Sequence, residues 1–505
     1  MANLLLGIDV GTSSTKCVLI DDEGRQVGVA ENPYSFDTPN PGWVEQDPQS
    51  WWLAAIASIR QVLERSSADP SRVAGIGLTG QMHGLVLLDD AGLVLRPCIL
   101  WNDQRSAPQC ERLEGDLGRD RILSLTGNRL LPGFTAPKIA WVREHEPELW
   151  SRTRRILLPK DYLRYRLSGA FRTESSDASG MLLFDCEKRR WSAEMLGALG
   201  VTAEQLPECR EGTDASVRLS SEAAALTGLP EGTPIAGGGG DQAAQAIGTG
   251  TVGEGTVSVT LGTSGVVFAA SRSFRSTRDG SLHAFCHAVP DRWHLMGVML
   301  SAAGSLSWFA ESLALDAKRT ALETHADLYE ILCAEAASVP EGCDGVTFLP
   351  YLSGERTPHP DPHARGVFAG LSTRHRRPHL VRAVLEGVTF GLVDNLDLVR
   401  SAGVQVAEVR LTGGGARSPF WRQLCADAFG VPVLTVNAAA GAAFGAALIA
   451  GAATAVFTSV DDACARCVRE TSRVEPSARR GSLDVPLDRY RSLYPALRPW
   501  FNSGA

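Results

Sequence analysis

The sequence predicts an α/β fold in which antiparallel strands extend a parallel sheet, and three observations carry that prediction. The chain opens on apolar strand patterns joined by short reversals, with no helix between them. Toward its end, strand and helix patterns alternate through residues 409–411, 418–429 and 431–436. Finally, Gly11-Thr12-Ser13-Ser14, set after an apolar strand, returns as Gly262-Thr263-Ser264-Gly265 after the strand 257–261, an offset of 251 residues in a chain of 505. Either a common tripeptide recurs by chance, or two similar domains face one another across a cleft, a favoured place for a ligand.

Residues 4–9 form the first strand, small residues 11–14 turn the chain, 15–20 return, and Asp21-Asp-Glu-Gly24 reverses it again, which makes a β-meander. Asp47-Pro48 is an N-cap and N1 pair opening a helix with Trp52, Ala55, Ile56, Ile59, Val62 and Leu63 on one face. Residues 73–78 read as a buried strand, and 85–88 with the Asp89-Asp-Ala-Gly92 turn predict a hairpin. Leu380, Val384, Leu385, Val388, Leu392, Leu396 and Val399 mark a long amphipathic helix that stops near Gly403. A Gly413-Gly-Gly415 turn follows strand 409–411, and Gly430 ends helix 418–429 before strand 431–436. Residues 438–457 have the length of a membrane span, but their apolarity is mostly Ala and Gly without an aromatic belt, so a helix buried in a protein core is expected.

With 44% hydrophobic and 21% charged residues the chain is too apolar for disorder and long enough for two or three domains. A net charge of -8 with scattered basic residues argues against a grip on nucleic acid and, taken alone, against any polyanionic ligand. Eleven dispersed cysteines suit reduced, buried thiols in a cytoplasm, and the lone Cys464/Cys467 pair lacks the second pair of a zinc framework. No basic segment precedes an apolar stretch at the start, so a cytoplasmic location is expected, with no membrane association.

None of the five lysines, Lys16, Lys138, Lys160, Lys188 and Lys318, follows a glycine, so there is no Walker P-loop. The protein-kinase signatures are also absent. Two G-x-G-x-x-G matches, at 75–80 and 248–253, do not open a helix after a strand and read as decoys. What remains are Gly and hydroxyl turns after strands, where backbone N–H groups and hydroxyls can cradle a phosphate without lysine. Asp9, just before the first such turn, can hold Mg²⁺ beside phosphates or simply cap the turn. Gly237-Gly-Gly-Gly-Asp241-Gln242 supplies no packing side chain and suggests backbone access for a ligand; Asp241 is either the N-cap of the next helix or a general base for a hydroxyl attacking a γ-phosphate. Met82 and His83 in Gln81-Met-His-Gly84 suit a small polyol against a hydrophobic wall. Of the tryptophans, Trp51 and Trp52 read as core, and Trp43 as the one able to reach a sugar face.

These motifs occur in a characteristic order: Gly7-Ile-Asp-Val-Gly-Thr-Ser-Ser-Thr-Lys16, Gly80-Gln-Met-His-Gly84, Trp101-Asn-Asp-Gln-Arg105, Pro132-Gly-Phe-Thr-Ala-Pro-Lys138, Leu158-Pro-Lys-Asp-Tyr-Leu163, Leu261-Gly-Thr-Ser-Gly265, Tyr351-Leu-Ser-Gly-Glu-Arg-Thr-Pro358 and Thr412-Gly-Gly-Gly-Ala-Arg417. The chain thereby resembles the FGGY carbohydrate kinases from Leu4 to about Ala450. The resemblance implies two actin-like, ribonuclease-H-like domains around a deep cleft, a sugar-binding domain over 1–248 and a nucleotide-binding domain over 249–505. It implies ATP-dependent phosphorylation of the terminal hydroxyl of D-xylulose, with ATP and Mg²⁺ bound. Asp241 then corresponds to the catalytic base, Met82, His83 and Gln242 to sugar contacts, and Asp9 to the metal-side aspartate. Thr12, Ser13, Gly262 and Thr263 correspond to phosphate loops, Gly414, Gly415 and Ser418 to the adenosine site, and Trp308 to a further nucleotide contact. Gln242 stands where many relatives have Asn, and segment 437–441 lacks the Glu that many carry. The expected partners are a small sugar and ATP, with no nucleic acid; whether the chain forms a homodimer is open.

Overall fold

The apolar N-terminus forms β1 (Leu4–Val10), nearly all buried, in a computed structural model that describes residues 3–437 and 440–503. β2 (Ser14–Asp21) and β3 (Gln26–Pro33) complete the meander, and α1 (Pro48–Ser66) follows with Asp47 as N-cap, its carboxylate accepting from Gln49 N at 2.9 Å. β4 (Val73–Gly80) then runs parallel to β1, and the short strands β5 (Val217–Arg218), β6 (Pro234–Ile235) and β7 (Gly239–Gly240) join the same sheet. α2 (Asp241–Gly248) leads to a second sheet made of β8 (Gly255–Leu261), β9 (Gly265–Ser271), β10 (His283–Cys286), β11 (Trp293–Met299), β12 (Val406–Thr412), β13 (Val433–Val436) and β14 (Glu470–Val474). The long helix α3 (Arg377–Ser401), α4 (Pro419–Phe429), α5 (Ala442–Ala453) and α6 (Val460–Cys467) cover or join these sheets.

The two seven-stranded sheets share a plan. In the first, β3, β2 and β1 are antiparallel neighbours and β1, β4 and β6 run parallel; in the second, β11, β9 and β8 are antiparallel neighbours and β8, β12 and β13 run parallel. Each Gly-Thr-Ser turn joins the equivalent antiparallel pair, β1 to β2 and β8 to β9. Of the two readings left open, the recurrence is therefore duplication of a fold unit.

α5 explains the apolar segment near residue 440, of which Ala438 and Ala439 lie outside the described residues. It packs on β1, β4 and α2, and its small side chains permit backbone contact: a Cβ on Gly7 would lie 1.9 Å from Ala443 O, one on Gly77 1.8 Å from Ala446 O, and one on Gly445 1.7 Å from Ala244 O. Ala and Gly are selected here by close approach. Among the described residues no helix is long and apolar enough to cross a membrane.

Three local expectations are corrected. Residues 86–88 pair mainly with Arg155–Leu157, and the Asp89–Gly92 reversal leads back only to a single bridge from Leu88 to Val94, because the returning limb leaves Leu93 exposed and is broken by Pro97. β13 starts at Val433, since Pro432 has no N–H to give the ladder. Trp43 is not free for a sugar: Arg105 lies 3.9 Å over its ring and Trp141 meets it edge-on. Trp51 and Trp52 are core, and the 75–80 glycines lie inside β4. Cys464 and Cys467 are buried on α6 with thiols pushed up by burial to about 12 and about 11, far from the thiolates that zinc requires.

Candidate active site

The site begins at the ends of β1 and β8. In the first loop Gly11 N donates to Ser14 O at 2.9 Å, and in the second Gly262 N donates to Ser264 O at 3.2 Å. Consecutive amides, those of Thr12 and Ser13 and those of Thr263 and Ser264, are left without an acceptor among the described residues. Such paired N–H groups form an anion cradle. The first loop is held rigidly: Tyr34 Oη donates to Gly11 O at 2.7 Å, Gln46 Nε2 to Thr12 O at 3.0 Å, and Trp101 Nε1 to Thr12 Oγ1 at 3.0 Å. Thr12 Oγ1 in turn donates to Gln81 Oε1 at 3.2 Å, so the hydroxyl serves the scaffold and the amides are what the loop offers. In the second loop Ala302 N and Gly304 N donate to Thr263 O at 2.9 and 3.2 Å.

Asp9, Thr12, Asp241 and Gln242 line one chamber of about 270 Å³, together with Lys16 and Gln81. Asp9 Oδ1 is buried without a hydrogen-bond partner. Burial lifts its carboxyl to about 6; Lys16 opposes the rise and Glu31 adds to it. Asp241 opens α2 with Gly240 in the N-cap position, so the N-cap alternative does not describe it; its Oδ1 accepts from Gln242 N at 2.7 Å. Burial, and then the Asp9 charge, push the Asp241 carboxyl up to about 7. A carboxylate with that affinity for a proton is poised as a general base near neutrality. Among the described residues no cluster of three or more His, Cys, Asp or Glu side chains could hold a metal. The orphaned Asp9 oxygen fits Mg²⁺ in the manner usual for nucleotide sites, one carboxylate with the remaining positions filled by phosphate and water.

The glycine run before Asp241 has a different use from the one expected. All four glycines are buried against protein: added Cβ atoms at Gly237, Gly238 and Gly239 would meet Glu211 O at 2.2 Å, Leu78 O at 1.9 Å and Ala288 Cβ at 2.8 Å. One on Gly240 would lie 3.0 Å from Met82 Cε. The run is required by packing, and it brings Met82 against the residue that precedes Asp241. Gly240 N donates to Ser176 Oγ at 3.0 Å, and Arg164 donates to Gly237 O, which ties the strand to a buried ionic cluster around Lys160 and Asp161, 2.6 Å apart.

His83 has φ of 69° and is held on three sides. Its Nδ1 lies 2.8 Å from Gly180 O, its carbonyl accepts from Lys138 Nζ at 2.9 Å and Thr135 Oγ1 at 3.1 Å, and Phe134 meets its ring at 4.5 Å. Since Nδ1 faces a carbonyl it carries the hydrogen, leaving Nε2 as an acceptor. Burial holds the ring well below its ordinary range and therefore neutral, against a smaller upward pull from the Gly180 carbonyl. Burial also pushes Lys138 down to about 7.

A second cavity, of about 470 Å³, gathers Gly262, Thr263, Gly414, Gly415 and Ser418 with Tyr329. Ser418 caps α4, its Oγ accepting from Trp421 N at 3.3 Å. A third, of about 620 Å³, shares Gln245 and Gly441 with the Asp9 chamber and Gly414 and Arg417 with the second cavity, so the three form one trough from Asp241 to Ser418. Ser13, Trp308, Met82 and His83 line none of these; Trp308 instead stacks on Phe348 at 6.2 Å. Sequence reasoning passed over Lys16, Gln81 and Gln245. The alternation of β2 and the position of Gln81 directly after β4 were the available signals, whereas Gln245, which donates to Thr260 Oγ1 at 2.8 Å, gave none.

Comparison with known proteins adds a family to this geometry. Residues 4–248 match the N-terminal domain, and 257–454 the C-terminal domain, of the FGGY family of carbohydrate kinases. The chain is 41% identical over 497 residues to a xylulose kinase of Escherichia coli (strain K12), covering 98% of this chain and 99% of that one, and 43% identical over 448 residues to one of Klebsiella pneumoniae, covering 88% and 89%. The solved structure of a xylulose kinase from Rhodospirillum rubrum superposes with a TM-score of 0.91 at 30% identity, over 99% of this chain and all of that one.

Proposed function

The chain belongs to the FGGY family of carbohydrate kinases, whose fold is of the actin-like, ribonuclease-H-like type, and from that premise we propose that it transfers the γ-phosphoryl group of ATP to the terminal hydroxyl of D-xylulose. The observation that carries the mechanism is the shared chamber of Asp9 and Asp241 beside a loop with free amides. The sugar lies toward Met82 and His83, with its terminal hydroxyl presented to Asp241. As that oxygen bonds to the γ-phosphorus its proton passes to Asp241, and the bond from phosphorus to the β-phosphate oxygen breaks, releasing ADP. The Thr12–Ser13 and Thr263–Ser264 amides hold phosphate oxygens, and the Gly414–Ser418 cavity holds the nucleoside. Asp9 would hold Mg²⁺, whose chemistry is to neutralise phosphate charge as the phosphoryl group moves. On this reading residues 1–248 take the sugar and 249–505 the nucleotide, a division supported by the matched family boundaries. Closure of the halves over the sugar would exclude water and suppress ATP hydrolysis.

A coupled assay of ADP release across D-xylulose, D-ribulose and xylitol tests the reading. D-xylulose is expected to give the highest kcat/KM; a higher value for ribulose or xylitol would overturn the substrate assignment.

A further inference from the structure

We propose that Arg356 and His283, both from the C-terminal half, complete the sugar pocket that Met82 and His83 open from the N-terminal half, with the Arg356 guanidinium as the group that favours a ketose over a pentitol. The inference rests on the assignment of a sugar to the Met82–His83 side.

Phe134 is flanked by two imidazoles from distant parts of the chain. His83 meets its ring edge-on at 4.5 Å and His283 edge-on at 5.5 Å, while His283 also stacks on Phe285 at 5.7 Å. His283 belongs to β10, paired with β11 at Met296, and Met296 and Phe285 share a packed cluster with Met82 and Phe134. The β10–β11 hairpin of the second sheet thus reaches the wall of the first half's pocket. Arg356 is clamped to the same hairpin. Before it, Glu355 Oε1 accepts from Leu300 N at 3.0 Å; after it, Thr357 N donates to Val298 O at 3.1 Å and Thr357 Oγ1 to Ser281 O at 3.3 Å.

The polar atoms of this group have no partners. His83 Nε2, both ring nitrogens of His283 and the guanidinium of Arg356 make no hydrogen bond or ion pair among the described residues. Nor do they belong to the sealed orphan atoms, as both nitrogens of His294 do, so they open onto the space beside Phe134. The charge of Arg356 disfavours protonation of both His83 and His283, which places it within electrostatic reach of each; burial is the larger cause and keeps both rings neutral. A half-buried guanidinium without an acceptor is costly unless a ligand supplies one.

The chemistry of the donors identifies the ligand class. A guanidinium has five N–H donors and no acceptor, so it reads oxygen acceptors, and a neutral imidazole nitrogen accepts from a hydroxyl. A ketose carbonyl is acceptor-only and meets Arg356 without a wasted donor, whereas the corresponding pentitol hydroxyl brings a hydrogen that the guanidinium cannot use. The pocket therefore matches a neutral polyol bearing one carbonyl.

Arg356→Gln and His283→Phe test this in the full chain. Steady-state kinetics give KM for D-xylulose and for ATP, and calorimetric titration without nucleotide gives Kd for D-xylulose. Arg356→Gln is expected to raise sugar KM and Kd about 10- to 100-fold, hold ATP KM within about twofold, and shrink the preference for D-xylulose over xylitol. His283→Phe keeps the ring stack and should weaken sugar binding about 5-fold or more; it decides the matter if Arg356→Gln fails to fold. Wild-type sugar Kd in the folded variants, or an equal loss for xylulose and xylitol in Arg356→Gln, would overturn the inference. A wild-type enzyme that phosphorylates neither ketoses nor pentitols would instead overturn the sugar assignment on which it stands.

Discussion

Replacing Asp241 by Asn should disable the enzyme and, at alkaline pH, stabilise it. In the unfolded chain this carboxyl releases its proton near 3.8; in the folded protein it keeps it to about 7, because burial and then the Asp9 charge disfavour the anion. The folded state thus binds the proton more tightly, and the stability contributed by that proton is complete below 3.8 and lost as pH rises to about 7. A difference of roughly three units corresponds to about 4 kcal/mol, which the partial exposure of the side chain screens to about 1–3 kcal/mol. Asn imitates the protonated form at every pH. In chelator-treated protein without nucleotide, Asp241→Asn should therefore raise Tm by about 2–4 °C at pH 8 and by less at pH 5. Turnover should fall about 10²- to 10⁴-fold while D-xylulose still binds, since the base is lost and the pocket kept. The wild-type kcat/KM should decline tenfold per pH unit below about 7, the range in which Asp241 holds its proton. Turnover within tenfold of wild type would refute the base assignment, and equal Tm gains at pH 5 and pH 8 would refute the raised proton affinity.

Two further perturbations address the metal side and the scaffold. Asp9→Asn should raise the Mg²⁺ concentration for half-maximal rate by about tenfold or more in a Mg²⁺ titration, since it removes the one orphaned carboxylate of the chamber; an unchanged requirement would remove Asp9 from the metal site. Gly445→Ala places a Cβ 1.7 Å from Ala244 O, at the contact of α5 with α2, and should cost about 2–3 kcal/mol by denaturant unfolding; wild-type stability would show that the helices can separate freely.

Local chemistry made much of the fold legible. The meander, the Asp47 cap, the long helix ending before Gly403 and the cap at Ser418 follow from turn residues, capping residues and periodicity, all of which act within a few positions of the chain. The candidate site was legible where the loop itself carries the chemistry, as in the free amides after β1 and β8. It was misread where the partner is remote: the glycines at 237–240 look open until Glu211, Leu78 and Ala288 occupy the space beside them, and Trp43 looks available until Arg105 covers it.

The sequence by itself determined the strands, the Gly-Thr-Ser turns and the residue types able to bind a phosphate without lysine, because those depend on backbone freedom and local spacing. Only the tertiary structure decided that the two turns belong to duplicated sheets, that the Ala-rich segment joins two halves of a protein instead of crossing a membrane, and that Asp9 and Asp241 share one chamber. A carboxylate's proton affinity, like the need for a glycine, is set by whatever the fold places within a few ångströms, and those neighbours come from positions hundreds of residues apart.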